Sequence, residues 1–295
     1  MTGVERELLV AGALRGLLTV AAQPPRTGVV ALHPAGFASR DFPLLRHLAD
    51  ALPAHGVAVL RFDRRPPRLP DGDVSLRTQA ADAVSAMGEL RAATSPDLPV
   101  ILWGFSQGAW VAMIAAHEAA VAGIVLVGAS GVSPAAQMRY TSARQVREAG
   151  FGEDAVAEML AIRGLWEDAL RAGDGDGAQR ALERASTRPW SAAAWLAEPG
   201  EVDPDDDVFE FDFDPAPLIR SLPCPLLAVI GDDDRWVPLA ESVAVLETAP
   251  DMETLYVPGG GHAPTVDGDG EGPVLPGYEA GLIDWIARRI QPAGA

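Results

Sequence analysis

A Gly-Phe-Ser-Gln-Gly pentapeptide between a strand-like and a helix-like segment most constrains how this chain can fold. Pro99–Trp103 is an apolar run typical of a buried strand, and Ala109–Glu118 has helix-forming composition. Between them, Gly104–Gly108 has the form G-x-S-x-G. A serine at so sharp a turn has strained backbone angles and needs small neighbours. The pattern predicts a nucleophile elbow carrying Ser106, and the alternative is an ordinary Gly-Ser turn.

The composition describes an acidic chain with enough apolar residues for a large core. Of the 295 residues, 48% are hydrophobic, and the formal net charge is −18. This length allows one large α/β domain or two small ones. The negative charge argues against general electrostatic binding to nucleic acid or to anionic membranes. The single cysteine, Cys224, excludes an internal disulfide and is typical of a reducing compartment, and we expect a buried, unreactive thiol.

The N-terminal segment resembles a signal peptide only superficially. Leu8–Ala22 is apolar, but it follows an acidic leader and is interrupted by Arg15. A secretory signal has a basic leader and an unbroken apolar segment. We therefore predict two strands, Glu7–Val10 and Leu14–Ala21, joined near Gly12, and a cytoplasmic protein. No segment is apolar for long enough to span a membrane.

Alternating apolar runs and helical segments predict an α/β fold with a mostly parallel eight-stranded sheet flanked by helices. Beyond the two N-terminal strands, the predicted strands are Thr27–Leu32, Val57–Phe62, Pro99–Trp103, Gly123–Gly128, Pro225–Gly231 and Glu253–Val257. The predicted helices between and after them are Asp41–His55, Leu76–Arg91, Ala109–Glu118 and Tyr278–Ile290. Gly56 is expected to end the first of these helices.

The alternation stops at residues 133–216, which divide a predicted core of residues 1–132 and 217–295. Four helical pieces are predicted in this insertion: Ala135–Gly150, Glu153–Ala172, Gly177–Ala185 and Trp190–Leu196. An acidic stretch, Glu201–Asp214, closes it. We favour a cap or lid over the active site, because ligands of open α/β sheets bind beyond the carboxyl ends of the strands. The alternatives are a homodimer interface and a small core formed by the aromatic residues of the insertion itself.

An arginine-rich region and two Asp-Gly segments could each bind a ligand, but each also has a simpler structural explanation. A loop predicted at Asp63–Asp73 contributes to an arginine-rich region comprising Arg61, Arg64, Arg65 and Arg68. These arginines suit an anionic substrate group such as a coenzyme A phosphate, but a solvated loop is favoured. Asp174–Gly177 and Asp267–Gly272 resemble fragments of calcium loops without the full ligand spacing, so turns are expected and no metal site.

Candidates for a general base and its orienting acid follow two later strands. A serine hydroxyl needs both to become a nucleophile. Asp232, Asp233 and Asp234 follow one predicted strand, and His262 follows the next. Of the five histidines, only His262 has the position required of the base. We choose Asp234 as the acid and expect the other two aspartates to be solvated or to shape the turn.

Together these motifs resemble the α/β-hydrolase superfamily, and specifically lid-bearing serine hydrolases with esterase, thioesterase or peptidase activity. The G-x-S-x-G pattern, the G-x-x-D-x-x-V-P acid loop at Gly231–Pro238 and the Gly261-His262 pair are similar to those of the family. The oxyanion motif H-G-x-G aligns with His33–Gly36, where proline replaces the usual glycine. The resemblance places the acid on Asp234 and implies that the amides of Ala35 and Gln107 form the oxyanion hole.

The resemblance implies acyl transfer from a small-molecule ester or thioester through an acyl-enzyme, without a metal or organic cofactor. Candidate substrate-binding residues are Phe37, Trp166 and Trp236, although core packing explains aromatic residues at least as often. An acyltransferase or a cofactor-free perhydrolase would use the same triad. A non-catalytic ligand-binding protein of the same fold is the alternative from another class.

Overall fold

A computed structural model describes residues 3–65, 75–200 and 210–289, and its centre is one eight-stranded sheet. The strands are β1 (Val4–Val10), β2 (Leu14–Val20), β3 (Thr27–Leu32), β4 (Val57–Phe62), β5 (Val100–Phe105), β6 (Gly123–Val127), β7 (Leu226–Gly231) and β8 (Met252–Val257). Their order in the sheet is β1-β2-β4-β3-β5-β6-β7-β8. Only β1 with β2 and β2 with β4 pair antiparallel, which confirms the predicted, mostly parallel, eight-stranded sheet.

The two N-terminal strands form the predicted hairpin. Ala11 and Gly12 make its turn with φ values of 49° and 72°, in the left-handed region that tight turns require. The first strand begins three residues earlier than predicted, at Val4. Its first residues are exposed at the edge of the sheet, so they lack the apolar pattern from which a buried strand is predicted.

The helices that flank or follow the strands are α1 (Pro43–Ala51), α2 (Leu76–Ala93), α3 (Gln107–Glu118), α4 (Pro134–Glu148), α5 (Glu153–Arg171), α6 (Gly175–Ser186), α7 (Ala216–Arg220), α8 (Leu239–Leu246) and α9 (Tyr278–Arg289). The segment predicted as one helix over Asp41–His55 ends in a 3-10 turn, Leu52–His55. Pro53 has no amide hydrogen, so it cannot continue the α-helical bonding. Gly56 stops the segment at φ 78°.

Two predictions about helices need correction. The piece predicted at Trp190–Leu196 contains only a 3-10 turn, Ser191–Ala193, because the Trp190 ring is buried in a hydrophobic cluster and the backbone is already extended at Ala194. The short helices α7 and α8 were not predicted. Helix α7 follows a proline-rich segment and α8 follows the acid loop. The turn-forming residues of these two segments give no helical pattern, so neither helix is predicted from the sequence.

Helices cover the sheet, and the strands at its centre are buried along their whole length. Strands β3 to β7 have no exposed residue, which explains their continuous apolar sequences. On one face, residues of α1 and α9 join a core cluster that includes Trp103 and Trp285. Trp103 Nε1 donates a hydrogen bond to the Tyr278 hydroxyl over 2.9 Å. Burial raises the pKa of Tyr278 well above its usual range.

The described residues form two compact units. One consists of residues 1–131, 215–234 and 239–295 and contains the sheet, and the other consists of residues 132–214 and 235–238. The second unit is helical and contains α4, α5 and α6. Hydrophobic clusters around Trp190 and around Trp166 stabilise it, and its buried Glu167 forms an ion pair with Arg139.

Parts of two predicted segments lie outside the described residues. These are most of the arginine- and proline-rich loop, with Arg68, and most of the acidic stretch Glu201–Asp214. Among the helices that are described, none has the length and apolar composition needed to cross a membrane.

Candidate active site

Ser106 occupies a strained turn between β5 and α3. Its backbone angles are φ 54° and ψ −116°, and besides Ala11 it is the only non-glycine residue with positive φ in the described ranges. A left-handed conformation is costly for a residue with a side chain and persists only where surrounding contacts impose it. Here the Ser106 amide donates to the Val127 carbonyl over 2.9 Å, and the Ser106 carbonyl accepts from Ala109 N over 2.9 Å.

The two glycines of the G-x-S-x-G pattern lie where backbone segments approach closely. A Cβ atom on Gly104 would lie 2.2 Å from the Gly108 carbonyl oxygen. A Cβ atom on Gly108 would lie 2.6 Å from the Leu32 oxygen and 2.8 Å from the His33 oxygen. Only glycine therefore allows the start of α3 to pack against the ends of β5 and β3, as the elbow interpretation requires.

The structure brings Asp234 and His262 together. His262 Nδ1 lies 2.9 Å from Asp234 Oδ2, and their side chains are 9% and 4% exposed. A hydrogen bond at Nδ1 selects the tautomer in which Nδ1 carries the proton and Nε2 carries the lone pair. The ring of Phe105, the residue before Ser106, lies 5.1 Å from the His262 ring. The Ser106 hydroxyl forms no hydrogen bond within the described residues.

The neighbouring aspartates connect the acid loop to the histidine loop. Asp232 Oδ1 accepts a hydrogen bond from Gly259 N over 2.9 Å, and Asp233 N donates to the Gly260 carbonyl over 3.1 Å. Both side chains are exposed, whereas Asp234 is 6% exposed. Asp234 is thus the buried carboxylate of the three and bonds His262, while the hydrogen bonds of Asp232 and Asp233 shape the turn.

Gly128 contacts the histidine and was missed in the sequence. It follows β6 directly, has φ 55°, and a Cβ atom there would lie 2.4 Å from the His262 carbonyl oxygen and 2.8 Å from His262 Nδ1. Gly231 makes a similar approach, since its Cβ would lie 2.3 Å from the Gly261 oxygen. The sequence did contain a sign of these contacts. A glycine stands at the end of each of two buried strands, which is the edge of a parallel sheet where ligands bind.

Two backbone amides near the elbow, those of Ala35 and Gln107, have no hydrogen-bond partner among the described residues. Gln107 is the first residue of α3, where the helix dipole favours negative charge, and Ala35 is exposed in the loop after β3. Both amides can therefore donate to an incoming oxyanion.

Arg64 links the segments that carry these amides, and the sequence did not reveal this. Its Nη1 donates to the Pro34 carbonyl over 3.1 Å, and its Nη2 donates to the Gln107 side-chain oxygen. His33 is 5% exposed in the same loop. Burial, aided by the charge of Arg64, lowers the pKa of His33 to about 4, so this histidine is neutral at neutral pH.

Phe37 has a position that suits a substrate contact. It is 42% exposed, and its ring lies 4.8 Å from the ring of Phe42. Phe42 stacks on Phe105 at 6.0 Å, and Phe105 contacts His262. A continuous row of aromatic rings therefore connects an exposed side chain to the histidine.

The two tryptophans predicted to bind substrate have different surroundings. Trp166 is 2% exposed and packs edge-on against Phe211 at 5.5 Å, so it belongs to the core of the helical unit and its ring is not accessible to a substrate. Trp236 is half-buried and packs edge-on against Trp195 at 5.2 Å. Trp195 is 42% exposed, so this pair presents aromatic surface on the helical unit.

Two other predicted features have structural explanations. Cys224 is buried, and burial raises the pKa of its thiol to about 11, in agreement with an unreactive cysteine. The Asp267 carboxylate accepts hydrogen bonds from the Thr265 hydroxyl and from the amides of Asp269 and Gly270. Its oxygens therefore close a turn of their own segment, as predicted for the sequence that resembles part of a calcium loop.

The sequence matches the model of a known protein family over the region that contains the elbow. The model described as "Alpha/beta hydrolase family" matches residues 29–271, which is most of the chain. This chain belongs to the alpha/beta hydrolase family. The match includes the elbow, the acid loop and the histidine loop, and it agrees with the eight-stranded sheet. A search of curated protein sequences found no significant match.

Solved structures similar to this alpha/beta hydrolase include esterases and a peptidase. A carboxyl esterase from Bacillus coagulans is 18% identical with a TM-score of 0.59, covering 99% of this chain and 100% of that one. An esterase from Pyrococcus furiosus is 15% identical with a TM-score of 0.60, covering 98% and 92%. The proline iminopeptidase of Mycobacterium smegmatis is 16% identical with a TM-score of 0.57, covering 97% and 99%. At these identities the likeness concerns the fold alone.

Proposed function

We propose that this alpha/beta hydrolase cleaves a carboxylic ester or thioester through an acyl-enzyme on Ser106. His262 acts as general base and Asp234 orients it. The observation that carries the proposal is the buried hydrogen bond between His262 and Asp234. The His262 ring lies 5.1 Å from the ring of Phe105, and the next residue is Ser106, held at φ 54°. Strain of this kind in a non-glycine residue is maintained at functional sites, and a buried carboxylate at Nδ1 stabilises the imidazolium that forms during proton transfer.

The reaction proceeds in two steps. His262 takes the Ser106 proton as the hydroxyl oxygen attacks the carbonyl carbon, and it returns the proton to the leaving alcohol or thiol. The amides of Ala35 and Gln107 stabilise the tetrahedral oxyanion, each contributing about 3 kcal/mol when well placed. Water, deprotonated by His262, then attacks the acyl-enzyme and releases the acid.

The first test is labelling with a fluorophosphonate, which reacts with activated serines. Intact mass should show one adduct on the wild type and none on Ser106→Ala. The matched control is Ser95→Ala, an exposed turn serine, which should keep the adduct. Circular dichroism establishes that each variant is folded. Folded wild type without an adduct would contradict the proposal and favour a ligand-binding protein.

The second test separates the chemistries that one acyl-enzyme supports. p-Nitrophenyl esters, acyl thioesters and amino-acid anilides are compared by kcat/KM, and the free acid is quantified as product. Preference for esters or thioesters with free acid as the main product supports the proposal. Faster turnover of anilides would favour a peptidase. Formation of a new ester with added alcohol, or of peracid with hydrogen peroxide, as the main product would favour an acyltransferase or a perhydrolase.

We also propose that the helical insertion shapes substrate selection. It leaves the sheet after β6 and returns before β7, and Arg235–Pro238 of the same unit directly follow the acid Asp234. The Trp195–Trp236 pair gives that unit an aromatic surface. Trp195→Ala should raise KM for long-chain esters by several-fold while KM for acetate esters stays the same, because aromatic surface contributes in proportion to the apolar area it covers. Equal effects on both substrates would contradict this role.

A further inference from the structure

A single guanidinium joins the two segments that carry the proposed oxyanion donors. Arg64 follows β4 and is half-buried. It donates from Nη1 to the Pro34 carbonyl, 3.1 Å away, and from Nη2 to the side-chain oxygen of Gln107. Pro34 directly precedes the proposed donor Ala35, and Gln107 supplies the second amide. We propose that Arg64 is a positioning residue that holds the oxyanion hole in its active geometry, an inference that rests on the proposed function.

The first step of the argument is the geometry of the Pro34–Ala35 peptide. In a planar trans peptide, the carbonyl and the amide hydrogen point in opposite directions. A donor fixed on the Pro34 oxygen therefore directs the Ala35 N–H away from Arg64. Because the bond is charge-assisted, it also restrains the unit more strongly than a neutral donor would. Pro34 has no amide hydrogen and cannot itself donate to an oxyanion. The Ala35 N–H must therefore be the donor, and the Pro34–Ala35 peptide must be oriented for it.

The second step concerns the distance between the two donors. Ala35 belongs to the loop after β3, and Gln107 begins α3, and the chain separates them by about seventy residues. Arginine presents its donors in a rigid planar fork, so bonds from both terminal nitrogens set the two acceptors at a defined separation. Gly108 allows the same two segments to approach, because its missing side chain leaves room for the Leu32 and His33 carbonyls.

The third step is charge. The two neighbouring arginines are neutralised, since Arg61 forms ion pairs with Glu5 and Asp41 and Arg65 forms one with Asp82. Arg64 bonds only to uncharged oxygens and has no carboxylate partner among the described residues. Its positive charge therefore favours the negative charge that develops on the tetrahedral intermediate. Burial is the main cause of the lowered pKa of the adjacent His33, and the charge of Arg64 adds to it.

The test compares Arg64→Met, which removes both bonds and the charge, with Arg64→Lys, which keeps the charge without the fork. Arg15→Met is the control, because it removes one exposed arginine from the same chain. For each protein we measure kcat and KM with a p-nitrophenyl ester and the affinity of a trifluoromethyl ketone. That inhibitor forms a tetrahedral adduct whose oxygen occupies the oxyanion hole, whereas KM reports ground-state binding when acylation is slow.

We expect Arg64→Met to lower kcat by 10- to 100-fold and inhibitor affinity by a similar factor, with KM within threefold. Arg64→Lys should lie between Arg64→Met and the wild type, and Arg15→Met should equal the wild type. Unchanged kcat in folded Arg64→Met would overturn the proposal. So would a raised KM with unchanged kcat, because Arg64 would then bind substrate. If Arg64→Met does not fold, Arg64→Gln is judged by the same criteria.

Failure of this inference is distinguishable from failure of the proposed function. Wild type and Ser106→Ala are assayed beside the arginine variants. Wild type that neither turns over nor labels with a fluorophosphonate contradicts the proposed function itself. Wild type that does both, with kcat unchanged in Arg64→Met, overturns the role of Arg64 alone.

Discussion

Replacing Gly128 by alanine should inactivate the site although none of the three proposed triad residues is substituted. Gly128 has φ 55°, and its added Cβ would lie 2.4 Å from the His262 carbonyl oxygen and 2.8 Å from the ring nitrogen that bonds Asp234. Both distances are shorter than van der Waals contact. The loop that carries His262 must therefore move by several tenths of an ångström or more, and the 2.9 Å bond between His262 and Asp234 must change with it.

Two quantities should change in this variant, the free energy of unfolding and the catalytic rate. An alanine with left-handed φ costs roughly 1–2 kcal/mol, and overpacking costs about 1–3 kcal/mol more, so the free energy of unfolding should fall by roughly 2–5 kcal/mol. A misplacement of about 1 Å in a catalytic group costs about 100-fold in rate, which corresponds to about 2.7 kcal/mol of transition-state stabilisation. The loss should appear in kcat rather than in KM, because the base acts in the transition state.

The assay is hydrolysis of a p-nitrophenyl ester at a temperature where the variant remains folded, with urea unfolding followed by circular dichroism. Gly88→Ala is the matched control. Gly88 is exposed in α2, and a Cβ there meets nothing within 4 Å, so this variant should gain about 0.5–1 kcal/mol of stability and keep its kcat. Folded Gly128→Ala with kcat/KM within threefold of the wild type would show that the loop accepts the methyl group, and the contact argument would be refuted.

Three further predictions concern the core, the buried histidine and the cysteine. Tyr278→Phe leaves the buried Trp103 Nε1 without its acceptor and should lower the free energy of unfolding by about 1–3 kcal/mol in urea titrations, and unchanged stability would contradict it. Because the pKa of His33 is about 4 in the folded chain and 6.5 in the unfolded one, the unfolded state binds the proton first as pH falls. Protonation of His33 should therefore lower the free energy of unfolding by about 3 kcal/mol between pH 7 and pH 4. In His33→Gln this contribution should be missing, so the free energy of unfolding should fall less over the same pH range. Cys224, with a buried thiol of raised pKa, should react with a disulfide reagent at pH 8 only after denaturation, and rapid native labelling would contradict its burial.

Short-range patterns in the sequence were sufficient for most of the fold. Strands β3 to β7 are covered on both faces, so each is an uninterrupted apolar run that can be recognised without knowledge of its neighbours. Ser106 was equally recognisable, because its strained turn requires glycine two residues before and two residues after it. The chain order of serine, acid and histidine predicts that the acid lies among the three aspartates after β7 and that the base is His262, since the carboxyl ends of parallel strands meet at one edge of the sheet. The choice of Asp234 among the three came from the resemblance of Gly231–Pro238 to the acid loop of the family.

The tertiary structure decided what depends on contacts between distant residues. Trp166 and Phe37 are both aromatic residues in the sequence, yet one is 2% exposed in the core of the helical unit and the other is 42% exposed in the sheet unit. The approach of Gly128 to His262 and the two hydrogen bonds of Arg64 join segments that no local pattern relates. Local sequence specifies the conformation of each element, whereas the side chains that meet across elements are determined by how the sheet and helices pack.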